Sequence, residues 1–179
     1  MLKHIRLTDA DSRFFQEARH LYETAFPYAE RRSLSCHVAA VAAESDFFCY
    51  ALHEDGAFAG IIYYWLFADC VYVEHLAIAD SLRGRGLGKA ALAIALQHGL
   101  PVILEIEPAV DEVTSARLRF YERAGYHRLV YEHYQLPYHP GEAPLRLELL
   151  SYPQPADARL YRSFERDFAA KPMLYRDIQ

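Results

Sequence analysis

Between Arg83 and Lys89 the chain reads Arg-Gly-Arg-Gly-Leu-Gly-Lys, with glycines 84, 86 and 88 alternating among Arg83, Arg85, Leu87 and Lys89. Glycine lets successive backbone N–H groups converge on a ligand with no Cβ in the way. From Leu87 the apolar residues fall at helical spacing: Leu87, Ala91, Leu92, Ile94, Ala95 and Leu96. A glycine loop at a helix start sets its donors beside the partial positive charge of the helix N-terminus, and Arg83, Arg85 and Lys89 add full charges. The chemistry this predicts is the holding of a phosphate or pyrophosphate.

The elements that position the loop can be read outward from it. Val71 to Ile78, rich in β-branched and apolar residues, predicts a buried strand, stopped by Asp80 and Ser81. Upstream, the spacing predicts a first strand at 4–7 and a helix capped by Thr8 or Asp9 that ends at Pro27. A second helix is expected within 28–43, behind Arg31 and Arg32, which read as a solvated charge pair. Strands at 47–53 and 57–67 flank Glu54-Asp55-Gly56, a hairpin signal. Downstream, Val102 to Ile106 predicts a strand parallel to 71–78, because a helix separates the two. A helix then starts at Asp111 or Thr114 and ends before Gly125. A strand at 126–134, an antiparallel return at 145–152 and a terminal amphipathic helix at 157–168 complete the pattern.

Composition bounds the function. The chain has 179 residues and a net charge of −5, enough length for one domain with a real core and the wrong sign for a nucleic-acid binder. Met1-Leu-Lys-His4 lacks the apolar region of a signal peptide, and no apolar run approaches a membrane span. Cys36, Cys49 and Cys70 are too few and scattered for a disulfide framework or a metal site, so no metal is expected and a cytoplasmic location is.

Three phosphate loops compete for residues 83–89. A Walker A loop requires Ser or Thr after Gly-Lys, and Ala90 stands there. Gly86-Leu-Gly88-Lys-Ala-Ala91 matches a dinucleotide fingerprint, with Glu105 at the expected distance. That fingerprint follows its strand almost directly and opens a parallel sheet, whereas here an antiparallel meander precedes the loop and Asp80 to Arg85 intervene. Arg83-Gly-Arg-Gly86-Leu-Gly88 resembles the R/Q-x-x-G-x-G/A signature of the GCN5-related N-acetyltransferase superfamily. Phe120-Tyr-Glu-Arg-Ala-Gly-Tyr126 resembles its second hallmark, a helix ending in Tyr-x-x-x-Gly-Phe/Tyr. The order of elements over residues 1–152 is similar too. Thr114 stands where many members carry Asn.

The resemblance implies an α/β fold: a mixed, mostly antiparallel twisted sheet of six to seven strands flanked by helices, with one parallel pair at the cofactor site. Residues 1–152 would form that domain and 153–179 a C-terminal helical extension packed on it. It implies that residues 83–89 wrap the pyrophosphate of acetyl-coenzyme A and that main-chain groups of Leu76, Ala77 and Ile78 pair with its pantetheine arm. It also implies direct transfer of the acetyl group to an amine.

An ammonium with a pKa near ~10.4 must lose a proton before it can attack, which calls for a base. Glu74, two residues before Leu76 and expected on the same strand face, is the candidate. His75 on the opposite face, Glu105 and Glu107 are alternatives. Tyr121 matches the position from which family members protonate the leaving thiolate. Tyr131, Tyr134, Tyr138, His133 and His139 read as acceptor pocket, outward face or subunit contact. A homodimer fits the aromatic content of this third, and a small-molecule or peptide amine is the expected partner. Two rivals share the loop: a non-catalytic coenzyme A sensor and an NAD(P)-dependent oxidoreductase. A thermal-shift comparison separates the last. Acetyl-coenzyme A should raise the melting temperature while NAD and NADP leave it unchanged, and stabilisation by the dinucleotides alone would refute the acyl-transfer reading.

Overall fold

Phe47–Glu54 (β2) and Ala57–Leu66 (β3) form a hairpin around Asp55 and Gly56, whose φ angles of 52° and 86° give the turn the twist that antiparallel strands need. Leu2–Arg6 (β1) adds to the outer edge of β2, and Val71–Ile78 (β4) to the inner edge of β3. Val102–Ile106 (β5) lies parallel to β4, and Leu145–Tyr152 (β8) runs antiparallel to β5. The strand expected at 126–134 is broken into His127–Arg128 (β6) and His133–Gln135 (β7), each paired with β8. The break raises the count to eight strands, in the order β1-β2-β3-β4-β5-β8-β6, with β7 also on β8. This is a computed structural model, and it describes residues 1–177.

Helices cover both faces of the sheet. One face carries Arg13–Ala25 (α1), Leu34–Ala43 (α2) and Ala158–Ala170 (α5), whose Phe15, Tyr22, Ala40, Phe164 and Phe168 pack on Tyr63, Trp65 and Tyr72. The other carries Leu87–Leu96 (α3) and Glu112–Arg123 (α4), which bury Leu87, Leu92, Leu118 and Tyr121 against Ile62, Val73 and Leu104. Ser12, Asp111 and Asp157 cap their helices by accepting from a backbone N–H three residues on. The second helix is shorter than expected. A single 3₁₀ turn, Tyr28–Glu30, precedes Ser33, the N-cap of α2, so Arg31 and Arg32 lie in a connector.

Two irregularities of β4 shape the site. Opposite β3, Tyr63 pairs with His75 and Tyr64 with Val73, so Glu74 is the extra residue of a β-bulge. Alternation therefore fails there. Tyr72, Glu74, His75 and Ala77 share the face of α1, while Val71, Val73, Leu76 and Ile78 turn toward α3 and α4. The expectation that Glu74 and Leu76 share a face, with His75 opposite, is thus corrected. Along its other edge β4 pairs with β5 only over Val71–Val73, and from the bulge onward the two strands part.

Gly60 on β3 lies beneath this diverging half of β4, where a Cβ would meet the Ala77 carbonyl oxygen at 2.4 Å. Replacing Gly60 with Ala should lower stability by about 1–3 kcal/mol, read as a reduced urea midpoint, because backbone has to move to admit the methyl.

Candidate active site

Where β4 and β5 separate, a cavity of about 860 Å³ passes between them. At the α3–α4 end it is lined by the glycine loop, Phe120 and Tyr121, and at the α1 end by Phe26, Glu30, His75 and Gln135. Past Val73, the backbone groups of β4 that point toward β5 have no strand partner. An unpaired strand edge facing a cavity can take an extended ligand as an added strand. Leu76, Ala77 and Ile78 all line it.

The loop adopts the geometry its glycines allow. Gly84 and Gly86 have φ of 77° and 79°, and Gly86 is the N-cap of α3. The first helical bond runs from Ala90 N to Gly86 O, which leaves the N–H groups of Leu87, Gly88 and Lys89 without an intrahelical acceptor. Gly88 lies under Phe120, whose ring would meet an added Cβ at 3.0 Å, so the small residue lets α3 and α4 approach. Of the basic residues, Arg83 lines the cavity and pairs with Asp80 at 2.7 Å. Arg85 instead turns to Glu54 on β2 at 2.9 Å, and neither it nor Lys89 lines the wall. The backbone donors and free anion-binding helix end fit a pyrophosphate without either side chain.

Glu74 is engaged. Its carboxylate is fully buried, 2.6 Å from the Arg32 guanidinium, and accepts from Trp65 Nε1 (3.1 Å) and the Tyr138 hydroxyl (2.8 Å). Burial opposes the charge, yet Arg32, His75 and these hydrogen bonds hold the carboxyl at about 2, too acidic for an effective base at neutral pH. Arg32, read from sequence as solvated, is instead 2% exposed, ringed by Phe47, Trp65 and Tyr138, and donates to the Pro172 carbonyl at 2.8 Å. His75 donates from Nε2 to the Glu30 carbonyl at 2.9 Å, its Nδ1 lies 3.8 Å from the Glu74 carboxylate, and burial lowers its pKa.

Sequence reasoning missed Glu30. Its 3₁₀ turn brings it to the cavity wall, where its carboxylate has no ionic or hydrogen-bond partner among the described residues. Burial and the neighbouring charge of Glu107, offset by Arg117, raise its pKa to about 7. Lying in an irregular connector before α2, it carried no motif; the signal that could have found it was an acidic residue three positions past the Pro27 that ends the first helix. Across the opening in the sheet, Tyr121 also reaches the wall, and burial lifts its hydroxyl to about 12. That hydroxyl has no hydrogen-bond partner among the described residues. Glu105 is occupied by Tyr72 (2.5 Å) and His133, and Glu107 pairs with Arg117 at 2.5 Å.

The other candidates have structural partners. The Thr114 hydroxyl closes a capping box with Asp111. Tyr131 stacks on Tyr161, His139 on Tyr28, and Tyr138 and His133 are buried behind the wall, so that only Gln135 of this segment reaches the cavity. All three cysteines are free; burial raises the thiol pKa of each, as expected of inert thiols. Among the described residues no group of His, Cys, Asp and Glu is placed to hold a metal, and no helix is long and apolar enough to cross a membrane.

The family model of the Acetyltransferase (GNAT) family matches residues 8–126. Over 100 residues the chain is 31% identical to "Putative acetyltransferase YjbC" of Bacillus subtilis (strain 168), covering 55% of this chain and 50% of that protein, so it spans about half the length of this curated relative. Among solved structures it is similar to a GNAT-family "putative acetyltransferase" of Bacteroides thetaiotaomicron, at 27% identity and a TM-score of 0.85 over 97% of this chain and 98% of that one. Arabidopsis thaliana Naa50, solved with the bisubstrate analogue CoA-Ac-MVNAL, shares the fold at 17% identity and a TM-score of 0.59, over 84% of this chain and 97% of that one.

The Arg32–Glu74 pair generates a stability prediction. Arg32→Met strands a buried carboxylate and should cost about 3–5 kcal/mol in urea unfolding, while the double change with Glu74→Leu recovers part of it. The depressed carboxyl also gives an acid limb. Its contribution is present above the ordinary value of 4.5 and is lost as the pH falls toward about 2, so Glu74→Gln should flatten that limb.

Proposed function

The chain belongs to the Acetyltransferase (GNAT) family, and from that premise we propose that it transfers the acetyl group of acetyl-coenzyme A directly to an amine, with Glu30 as base and Tyr121 as acid. Acetyl-coenzyme A would supply an activated thioester carbonyl. Backbone donors of Leu87, Gly88 and Lys89, with those of the Arg83–Gly86 turn, would hold its pyrophosphate, and the free edge of Leu76 to Ile78 would align its pantetheine arm. The coenzyme A portion of the ligand bound by Naa50 supports this donor.

The observation that carries the reading is a single passage through the sheet, with a carboxyl near neutrality at one end and a phenol at the other, both without a side-chain partner among the described residues. Glu30, poised at about 7, takes the proton of the incoming ammonium. The freed nitrogen attacks the thioester carbon, the carbon–sulfur bond breaks, and the nitrogen's surplus proton passes through water to restore the Tyr121 hydroxyl once that has protonated the sulfur, while Glu30 releases its proton to solvent. Tyr121, held neutral, gives its proton to the departing sulfur. With Glu74 held as an anion by Arg32, its part is to anchor the bulge that opens the strands. The raised, buried thiols support direct transfer over a cysteine-linked acetyl enzyme.

Glu30→Gln and Tyr121→Phe should each lower kcat by about 10²-fold or more in an acetyl-coenzyme A consumption assay, with the thermal shift by coenzyme A retained. Because the base must be ionised, wild-type kcat/KM should rise with pH through about 7, and Glu30→Gln should lose that limb. Tight coenzyme A binding with no turnover of any amine would favour the sensor instead.

A further inference from the structure

The α1 end of the cleft has more negative character than a single base requires. Glu107 is neutralised by Arg117, and Glu74 by Arg32. Glu30 has no counter-ion among the described residues, and buried Glu105 faces no Arg or Lys: its partners are the ring of His133, the hydroxyl of Tyr72 and the Gln135 amide at 3.3 Å. Gln135 is independent of this charge count. It is 4% exposed, stands at the cavity wall, and donates through Nε2 to Glu105 and Tyr138, while its Oε1 has no partner. A buried amide oxygen without a donor costs free energy that a ligand N–H would recover.

The Glu30 carboxylate and the Gln135 Oε1 are unmet acceptors, Glu105 is a carboxylate beside the second of them, and the groups come from separate elements. Glu30 lies on the connector after α1, whereas Glu105 and Gln135 lie on β5 and β7. Ala25, Phe26 and Leu147 also line the cavity and give its wall apolar stretches. An amine that surrenders its proton to Glu30 satisfies one of these groups and leaves the other side unmatched. An acceptor carrying a carboxylate would meet like charge there.

We infer that the acceptor is an aliphatic diamine, acetylated at the nitrogen beside Glu30 and gripped at its second, still-charged ammonium by Glu105 and the Gln135 amide oxygen. The inference rests on the cleft being an acetyl-transfer site. Charge-assisted bonds from the second ammonium supply the discrimination, and the methylenes lie on the apolar wall.

The test compares 1,4-diaminobutane, n-butylamine and 4-aminobutanoate as acceptors for the full chain at ~0.15 M salt, where diffuse attraction to an acidic protein is screened. The diamine should exceed n-butylamine in kcat/KM by about tenfold or more, with 4-aminobutanoate the poorest. Equal or better turnover of n-butylamine would overturn the inference and leave acetyl transfer standing. Absence of turnover with every amine would count against the transfer reading itself. Calorimetric titration in the presence of coenzyme A then decides: diamine binding about tenfold tighter than n-butylamine supports the acceptor site, and equal binding refutes it.

Discussion

The buried pairing of Arg32 with Glu74 is the constraint on which the site depends. A carboxylate inserted into a strand in the middle of a sheet would ordinarily be expelled to water, because its desolvation exceeds what neutral neighbours return. Here the guanidinium, an indole N–H and a phenol hydroxyl meet it on one face, and the strand accommodates it by bulging. From that bulge onward β4 no longer pairs with β5, and the gap between them is the cavity proposed as the reaction cleft. The ion pair therefore shapes the backbone, while proton transfer is left to groups that the fold keeps unpaired.

The cleft is polarised along its length. At the α3 end it presents N–H groups and a helix N-terminus, and at the α1 end carboxylates. A donor with a pyrophosphate and an acceptor with ammonium groups would each be repelled from the other's end, so the field alone sorts two charged substrates into opposite mouths. On the proposed reading the reacting atoms would meet beside the apolar side chains of Leu104 and Ile106, which lower the dielectric of the cavity.

Much of this was legible in the residues. Local backbone demands wrote the glycine loop, the Asp55-Gly56 turn and the Asp111 and Asp157 caps into the chain, and periodicity located α1, α3, α5 and the central strands. What escaped was set by contacts distant in sequence. Strict alternation put Glu74 and Leu76 on one face, and only the pairing of β4 with β3 reveals the extra residue. Arg32 reads as a surface cation until Pro172, some 140 residues later, closes over it. Glu30 lies in a turn without periodic signal, and its poised carboxyl is a product of neighbours on β5 and α4.

The segment after α5 gives this dependence a direction in time. Pro172 accepts from Arg32, Lys171 reaches Asp46, and Asp177 binds Ser33, Cys36 and His139. During synthesis the bulged strand emerges long before the residues that seal its buried charge. The surroundings of the Arg32–Glu74 pair are complete only once residues 171–177 have docked, so a segment some 140 residues away in sequence finishes the wall behind the cleft.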